Sequence, residues 1–155
     1  MQSVKFLKKI KADIRDWYHN YFKVVRLESK YNCSISSKST FTGPIENIRI
    51  GQNTRINKLS NFRFKKGNIS IGKNVIIAQY VSVITHSYNY DLKENIKDQP
   101  MYSNNVSIGD GSWIGAYSVI MPGVTIGKGA IIGAHSMVNK NVQITKYGQG
   151  YLQKK

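Results

Sequence analysis

Cysteine is nearly absent from this chain: Cys33 is the only one in 155 residues. One thiol cannot build an internal disulfide framework, and the scarcity fits a reducing, cytoplasmic setting. Cys33 itself reads as a small buried residue at the start of the ordered repeat. Long apolar runs are missing too. No stretch approaches the roughly eighteen apolar residues of a transmembrane helix. The basic N-terminus lacks the continuous apolar segment and small-residue cleavage site of a secretory signal. Acidic residues are few. Eight Asp and Glu stand against 23 Lys and Arg, a net charge of +15. The excess is uneven: +5 in residues 1–30, +7 in 31–75, −1 in 76–105 and +4 in 106–155. Such a balance points to an anionic partner: phosphate, acidic glycan or lipid headgroup. No nucleic-acid recognition motif accompanies it, so nucleic acid is not expected.

What the chain does have is a period of six. Ile108, Ile114, Ile120, Ile126, Ile132 and Val138 recur without a break. A helix repeats at 3.6 residues and a simple strand at 2, so neither asks for this spacing. A three-sided coil does, with one flat side per repeat. Each aliphatic residue then points into a narrow prism and stacks on its equivalent one coil away, about 4.8 Å along the axis. The residue two places earlier is small or β-branched: Val106, Ser112, Ser118, Val124, Ala130 and Ser136. It is expected at a corner, also pointing inward, where room is short. Gly109, Gly115, Gly127 and Gly133 follow the aliphatic position. There the chain is expected to turn through positive φ, which glycine tolerates.

The register continues backwards through Ile71, Ile77 and Val83, then Ile50, Ile56 and Phe62, then Ile35 and Phe41. Longer steps separate Phe41 from Ile50, Phe62 from Ile71, and Val83 from Ile108. Each falls at the same point of the three-sided cycle, so all the insertions belong to one corner of the prism. The expected fold is all-β: a parallel β-helix of about five three-sided coils over residues 31–145. An N-terminal amphipathic α-helix occupies residues 1–30, a loop insertion residues 84–105 and a C-terminal tail residues 146–155.

Residues 3–27 carry Phe6, Leu7, Ile10, Ile14, Trp17, Tyr18, Tyr21, Phe22 and Val25 at helical spacing. Ser3 is the expected N-cap. Lys5, Lys8, Lys9, Lys11 and Arg15 fill much of the remaining surface. The apolar stripe is expected to cover the open end of the coil or to pack on a partner subunit, because a stacked β end needs a cover. A second reading lays the helix on a membrane surface, since a basic face opposite Trp and Phe suits anionic lipid.

The insertion ITHSYNYDLKENIKDQPMYSNN interrupts the coil with His86, Tyr88, Tyr90, Asp91, Glu94 and Tyr102. Long excursions from a rigid scaffold at a defined corner tend to be functional. His86 lies three residues beyond the inward Val83, so it is held at the base of the excursion. Imidazole, with an ordinary pKa near 6.5, is the side chain suited to accept a proton at neutral pH.

The stretch VSIGDGSWIGAYSVIMPGVTIGKGAIIGAHSMVNKNV at 106–142 combines the aliphatic-Gly repeat with Trp-Ile-Gly, then Pro-Gly-Val-Thr-Ile-Gly and Ile-Gly-Ala. In this respect residues 45–142 resemble the hexapeptide-repeat acyltransferases, in the branch of sugar and xenobiotic O-acetyltransferases. The resemblance implies a left-handed β-helix, against the usual right-handed crossover. It implies homotrimers with each active site between two subunits, acetyl-CoA along the coil wall, no metal, and a loop His as general base. On this chain His86 is that base. Asn57 falls where an Asn binds the acceptor, and Trp113 where an aromatic borders the acetyl and acceptor pocket; Tyr88 is a further acceptor-site candidate. Ala116, Ala134 and Asn139 fall along the pantetheine arm, and Lys140 near the nucleotide phosphates. Asn57, Trp113 and Lys140 also admit plainer roles as a corner turn, packing and a surface charge. The acceptor the resemblance implies is a sugar hydroxyl, of a surface polysaccharide or its precursor.

Two departures stand out. The family closes with a Gly-Asn-Pro-Ala-Lys type segment near the adenosine end of CoA, whereas this chain reads ITKYGQGYLQKK; Lys146, Lys154 and Lys155 are candidates for the missing charge. His135 stands where a Gly is common and reads as a corner substitution. Other readings remain open on sequence alone: an amine acceptor such as an amino sugar or antibiotic, or a β-helix that only assembles or binds. A zinc hydratase on the same fold needs three histidines about one metal; only His86 and His135 lie in the coil, without ligand-like spacing.

Overall fold

The computed structural model describes residues 2–89, 95 and 98–143. The six-residue period becomes three parallel sheets wrapped around one apolar column. The first face stacks Ser34–Ile35, Arg55–Ile56, Ile76–Ile77, Trp113–Ile114 and Ile131–Ile132. The second stacks Thr40–Thr42, Asn61–Arg63, Ser82–Ile84, Val119–Ile120 and Met137–Val138. The third stacks Ile48–Ile50, Ile69–Ile71, Val106–Ile108 and Thr125–Ile126, with Val142 bridged to Ile126 beyond them.

Register follows the aliphatic ladder. Ile35, Ile56, Ile77, Ile114 and Ile132 pair in sequence on the first face. Phe41, Phe62, Val83, Ile120 and Val138 do so on the second, and Ile50, Ile71, Ile108 and Ile126 on the third. All of these side chains are buried. Phe41 and Phe62 stack with ring centroids 4.7 Å apart, one coil spacing. The three long steps all fall at the second-to-third corner, as the sequence register requires.

The corners work differently from the sequence expectation. The glycines that follow the inward aliphatic do not carry the positive φ. Gly109 and Gly115 have ordinary backbone, and the coil spacing is what selects them. A Cβ on Gly109 would sit 2.5 Å from the Lys128 nitrogen, and one on Gly115 would sit 2.5 Å from that of Ala134. The left-handed backbone comes two residues later, at Asn53, Asn74, Gly111 and Gly129 on one corner and at Leu59, Tyr80, Tyr117 and His135 on another. His135 is thus a corner residue with φ 58°, a conformation in which glycine costs least. The small inward residues do more than save space. The Ser112 hydroxyl lies 2.7 Å from the Gly109 carbonyl and 3.0 Å from that of Gly127. Ser118 donates to the Gly133 carbonyl one coil on. These hydroxyls supply donors to the carbonyls at the corners. Ser136, in the last coil, is only half-buried.

Helix α1 runs Gln2–Tyr31, close to the expected 1–30, and Ser3 lies inside it rather than before it. It does cover the first coil, but with a different face from the one expected. Val24 and Leu27 are buried against the column. The Asn20 amide donates to the Ser39 carbonyl and accepts from the Phe41 N–H. Lys23 donates to the carbonyls of Phe41 and Gly43. Glu28 accepts from the Ile35 N–H, and the Tyr31 hydroxyl donates to the Ile48 carbonyl. Unpaired strand groups at the open end are therefore met by helix side chains. The aromatic stripe from Phe6 to Val25 is left exposed, with Trp17 at 59% and Phe22 at 65%. Packing chose the sector that offers both small apolar bulk and hydrogen-bonding groups, and the sector richest in apolar residues lost. No helix among the described residues is long and apolar enough to cross a membrane.

Candidate active site

The excursion leaves and rejoins the column through a short antiparallel ribbon. His86–Tyr88 pairs with Met101–Ser103, so that His86 lies opposite Ser103 and Tyr88 opposite Met101. This ribbon was not expected from the sequence, whose signal there is three residues long on each side. Thr85, fully buried, anchors its root. The Thr85 N–H donates to the Arg63 carbonyl at 3.0 Å, and the Thr85 carbonyl accepts from the Asn104 N–H at 2.9 Å. The Thr85 hydroxyl is directed at the carbonyls of Arg63 and Lys66. The ring of His86 is therefore carried by a strand pinned to the column and not by a free loop tip.

His86 is half-buried, and its Nδ1 is enclosed with no hydrogen-bond partner among the described residues. Burial pulls its pKa below the ordinary imidazole value, and the positive charges of Arg63, Lys65 and Lys66 pull it further down. Both effects disfavour the imidazolium. The ring is thus neutral near pH 7 and free to accept a proton. Tyr88 is exposed two residues along the same strand, on the same side of the ribbon as His86. Tyr90, Asp91 and Glu94 of the excursion, and Lys146, Lys154 and Lys155 of the tail, lie outside the described residues.

The remaining candidates divide between two corners. Asn139 and Lys140 sit at the second-to-third corner, on the same edge of the prism as His86 but in the last coil. Asn57, Ala116 and Ala134 sit at the first-to-second corner, and Trp113 projects from the first face with half its surface exposed. The Asn57 carbonyl accepts from the hydroxyls of Ser39 and Ser60, so its backbone serves the turn. Ala116 accepts from the His135 N–H. Beside Ala116 and Ala134 the rings of Tyr80, Tyr117 and His135 form a stack with centroid spacings of 4.5 and 4.8 Å. Sequence reading missed this ladder. The signal was the shared offset of three residues past the inward aliphatic. One chain does not bring His86 together with Asn57, Trp113, Ala116 and Ala134. Two grooves of about 360 and 460 Å³ lie beneath α1, and His86 lines neither. Among the described residues no three metal-ligating side chains cluster.

Residues 105–140 match the family model described as bacterial transferase hexapeptide (six repeats). The galactoside O-acetyltransferase of Escherichia coli (strain K12) is 41% identical over 83 residues, 50% of this chain and 37% of that protein. The chain thus spans little more than a third of that relative's length. A maltose O-acetyltransferase from Clostridium difficile 630 superposes with a TM-score of 0.58 at 29% identity, over 72% of this chain and 62% of the other. A galactoside acetyltransferase in complex with coenzyme A superposes with a TM-score of 0.55 at 27% identity, over 76% and 63%.

Proposed function

We propose that this hexapeptide-repeat chain transfers the acetyl group of acetyl-CoA to a hydroxyl of a sugar, in a surface polysaccharide or its precursor. The observation that carries the reading is His86: a neutral imidazole fixed at the root of the one long excursion from a rigid column. The similarity to two sugar O-acetyltransferases and to a structure holding coenzyme A supplies the reaction class.

In this reading the acceptor hydroxyl gives its proton to His86 as its oxygen attacks the thioester carbonyl. The tetrahedral oxyanion is stabilised by a backbone N–H of the coil. Collapse breaks the carbon–sulfur bond, and the imidazolium returns the proton to the leaving CoA thiolate. No covalent enzyme intermediate forms. Proton transfer of this kind contributes about 10²–10⁴ in rate, and one oxyanion donor about 10²–10³. Asn57, Trp113 and Tyr88 contact the acceptor. Ala116, Ala134 and Asn139 approach the pantetheine arm, and Lys140 the nucleotide phosphates.

These groups occupy two corners of the prism, so the site is shared between neighbouring copies in a homotrimer. The protein works in the cytoplasm, and the exposed stripe of α1, flanked by lysines, lets it rest at the inner face of a membrane. The test is mass spectrometry of candidate glycans incubated with acetyl-CoA and the protein. A mass gain of one acetyl group that disappears with His86→Ala supports the reading. Acetyl transfer undiminished in His86→Ala removes the assigned base.

A further inference from the structure

Three cations gather at the corner that holds His86. Arg63 ends a second-face strand and pairs in register with Ile84, two residues before the imidazole. Lys65 and Lys66 follow on the same turn. This turn is fastened to the root of the excursion at several points. Thr85 reaches the carbonyls of Arg63 and Lys66. The Asn68 N–H donates to the Asn105 side chain at 2.8 Å. Gly67, with φ 79°, leaves no side chain between the turn and Thr85; a Cβ there would come within 3.2 Å of the Thr85 Cβ. The position of the cations beside the ring is therefore set by backbone geometry.

All three side chains are exposed. Among the described residues the ion pair is Arg15 with Asp16 of α1, and no carboxylate pairs with Arg63, Lys65 or Lys66. Like charges held this close repel one another unless an anion joins them. Their level on the column also matters. They belong to the second coil, His86 to the third, and Ala116 and Ala134 to the fourth and fifth. At about 4.8 Å per coil the cations lie on the side of His86 away from the wall assigned to CoA. On that side the corner opens toward the groove of about 460 Å³ beneath α1, which Lys65 lines together with Lys23 and Asp16.

We propose that Arg63, Lys65 and Lys66 form an anion-recognising corner, and that the acceptor carries a carboxylate or phosphate close to the hydroxyl that is acetylated. This rests on the acetyltransferase reading above and narrows its substrate class to acidic or phosphorylated sugars. The corner binds and orients the acceptor; His86 performs the proton transfer.

The test uses the full chain, acetyl-CoA and three acceptors of matched ring: galactose, galacturonic acid and galactose 6-phosphate, at pH 8, where His86 is neutral in every variant. Initial rates are read as CoA release. The expected result is a kcat/KM about tenfold or more higher for one of the charged acceptors. The combined variant Arg63→Gln, Lys65→Gln, Lys66→Gln loses that preference through a raised KM for the charged acceptor. A control with the same loss of charge elsewhere, Arg49→Gln, Lys73→Gln, Lys128→Gln, retains the preference. The carboxylate and phosphate arms identify which anion is used. His86-dependent transfer at equal efficiency to all three acceptors overturns the anionic corner and leaves the acetyltransferase reading in place. Should none of the three accept acetyl, NMR of the His86 ring decides without turnover. Saturable shifts with galacturonic acid or galactose 6-phosphate, absent with galactose and absent in the triple variant, sustain the corner; unmoved ring signals overturn it.

Discussion

His86 lies directly opposite Ser103 in an antiparallel pair, one residue beyond the buried Thr85 that pins the ribbon to the column. The imidazole thus belongs to the scaffold rather than to the loop it introduces. Replacing it should remove chemistry without removing structure. His86→Ala is expected to lower kcat by about 10²–10⁴ while the thermal midpoint stays close to that of the parent chain. Circular dichroism with temperature, beside the CoA-release assay, checks both halves.

The pH profile carries a sign. Burial and three neighbouring cations hold the His86 pKa below its ordinary value, so the basic, neutral form persists into mildly acidic solution. The acid limb of kcat/KM is expected below the usual imidazole range. Lys66→Gln removes one of the repelling charges, raises the His86 pKa and moves that limb to higher pH. A limb that stays put or moves down in the variant contradicts the assignment.

Two glycines separate two physical reasons for having no side chain. Gly111 has φ 68° and open space around its missing Cβ. Gly111→Ala should cost about 1–2 kcal/mol, the backbone strain alone. Gly115 has ordinary φ, but a Cβ would meet the Ala134 nitrogen at 2.5 Å. Gly115→Ala should cost more, because backbone cannot give way as a flexible side chain can, and it forces neighbouring coils apart. Urea titrations of the two variants rank them.

Cys33 is half-buried, and its Sγ lies 3.7 Å from the Leu27 carbonyl. Burial, reinforced by the Glu28 carboxylate, raises its pKa to about 11. The thiolate is the reactive form, so alkylation by iodoacetamide at pH 8 should be much slower in the native protein than in the urea-unfolded chain. Equal rates in the two states would contradict the buried setting.

Much of this molecule could be read from spacing. A six-residue period leaves one solution for Ile108 to Val138, because a column with three flat sides is the geometry that buries every sixth residue. The same arithmetic placed all three insertions at one corner, and it located His86 at the base of the longest. Side-chain direction along the chain is a local property, and local properties survive in sequence.

What spacing could not decide were the contacts between residues far apart. The aromatic stripe of α1 has the strongest helical periodicity, yet Asn20, Val24, Leu27 and Tyr31 meet the first coil, because the strand groups exposed there need hydrogen bonds as well as cover. The glycines after each aliphatic looked like turn residues and proved to be points where coils touch, which only the neighbouring coil could reveal. The Tyr80, Tyr117 and His135 stack, and the cations brought from the second coil to the imidazole of the third, arise from winding. The sequence by itself determined the column and the direction in which each side chain leaves it; the tertiary structure decided which side chains meet, because residues about twenty to forty positions apart become neighbours only when one coil is laid on the next.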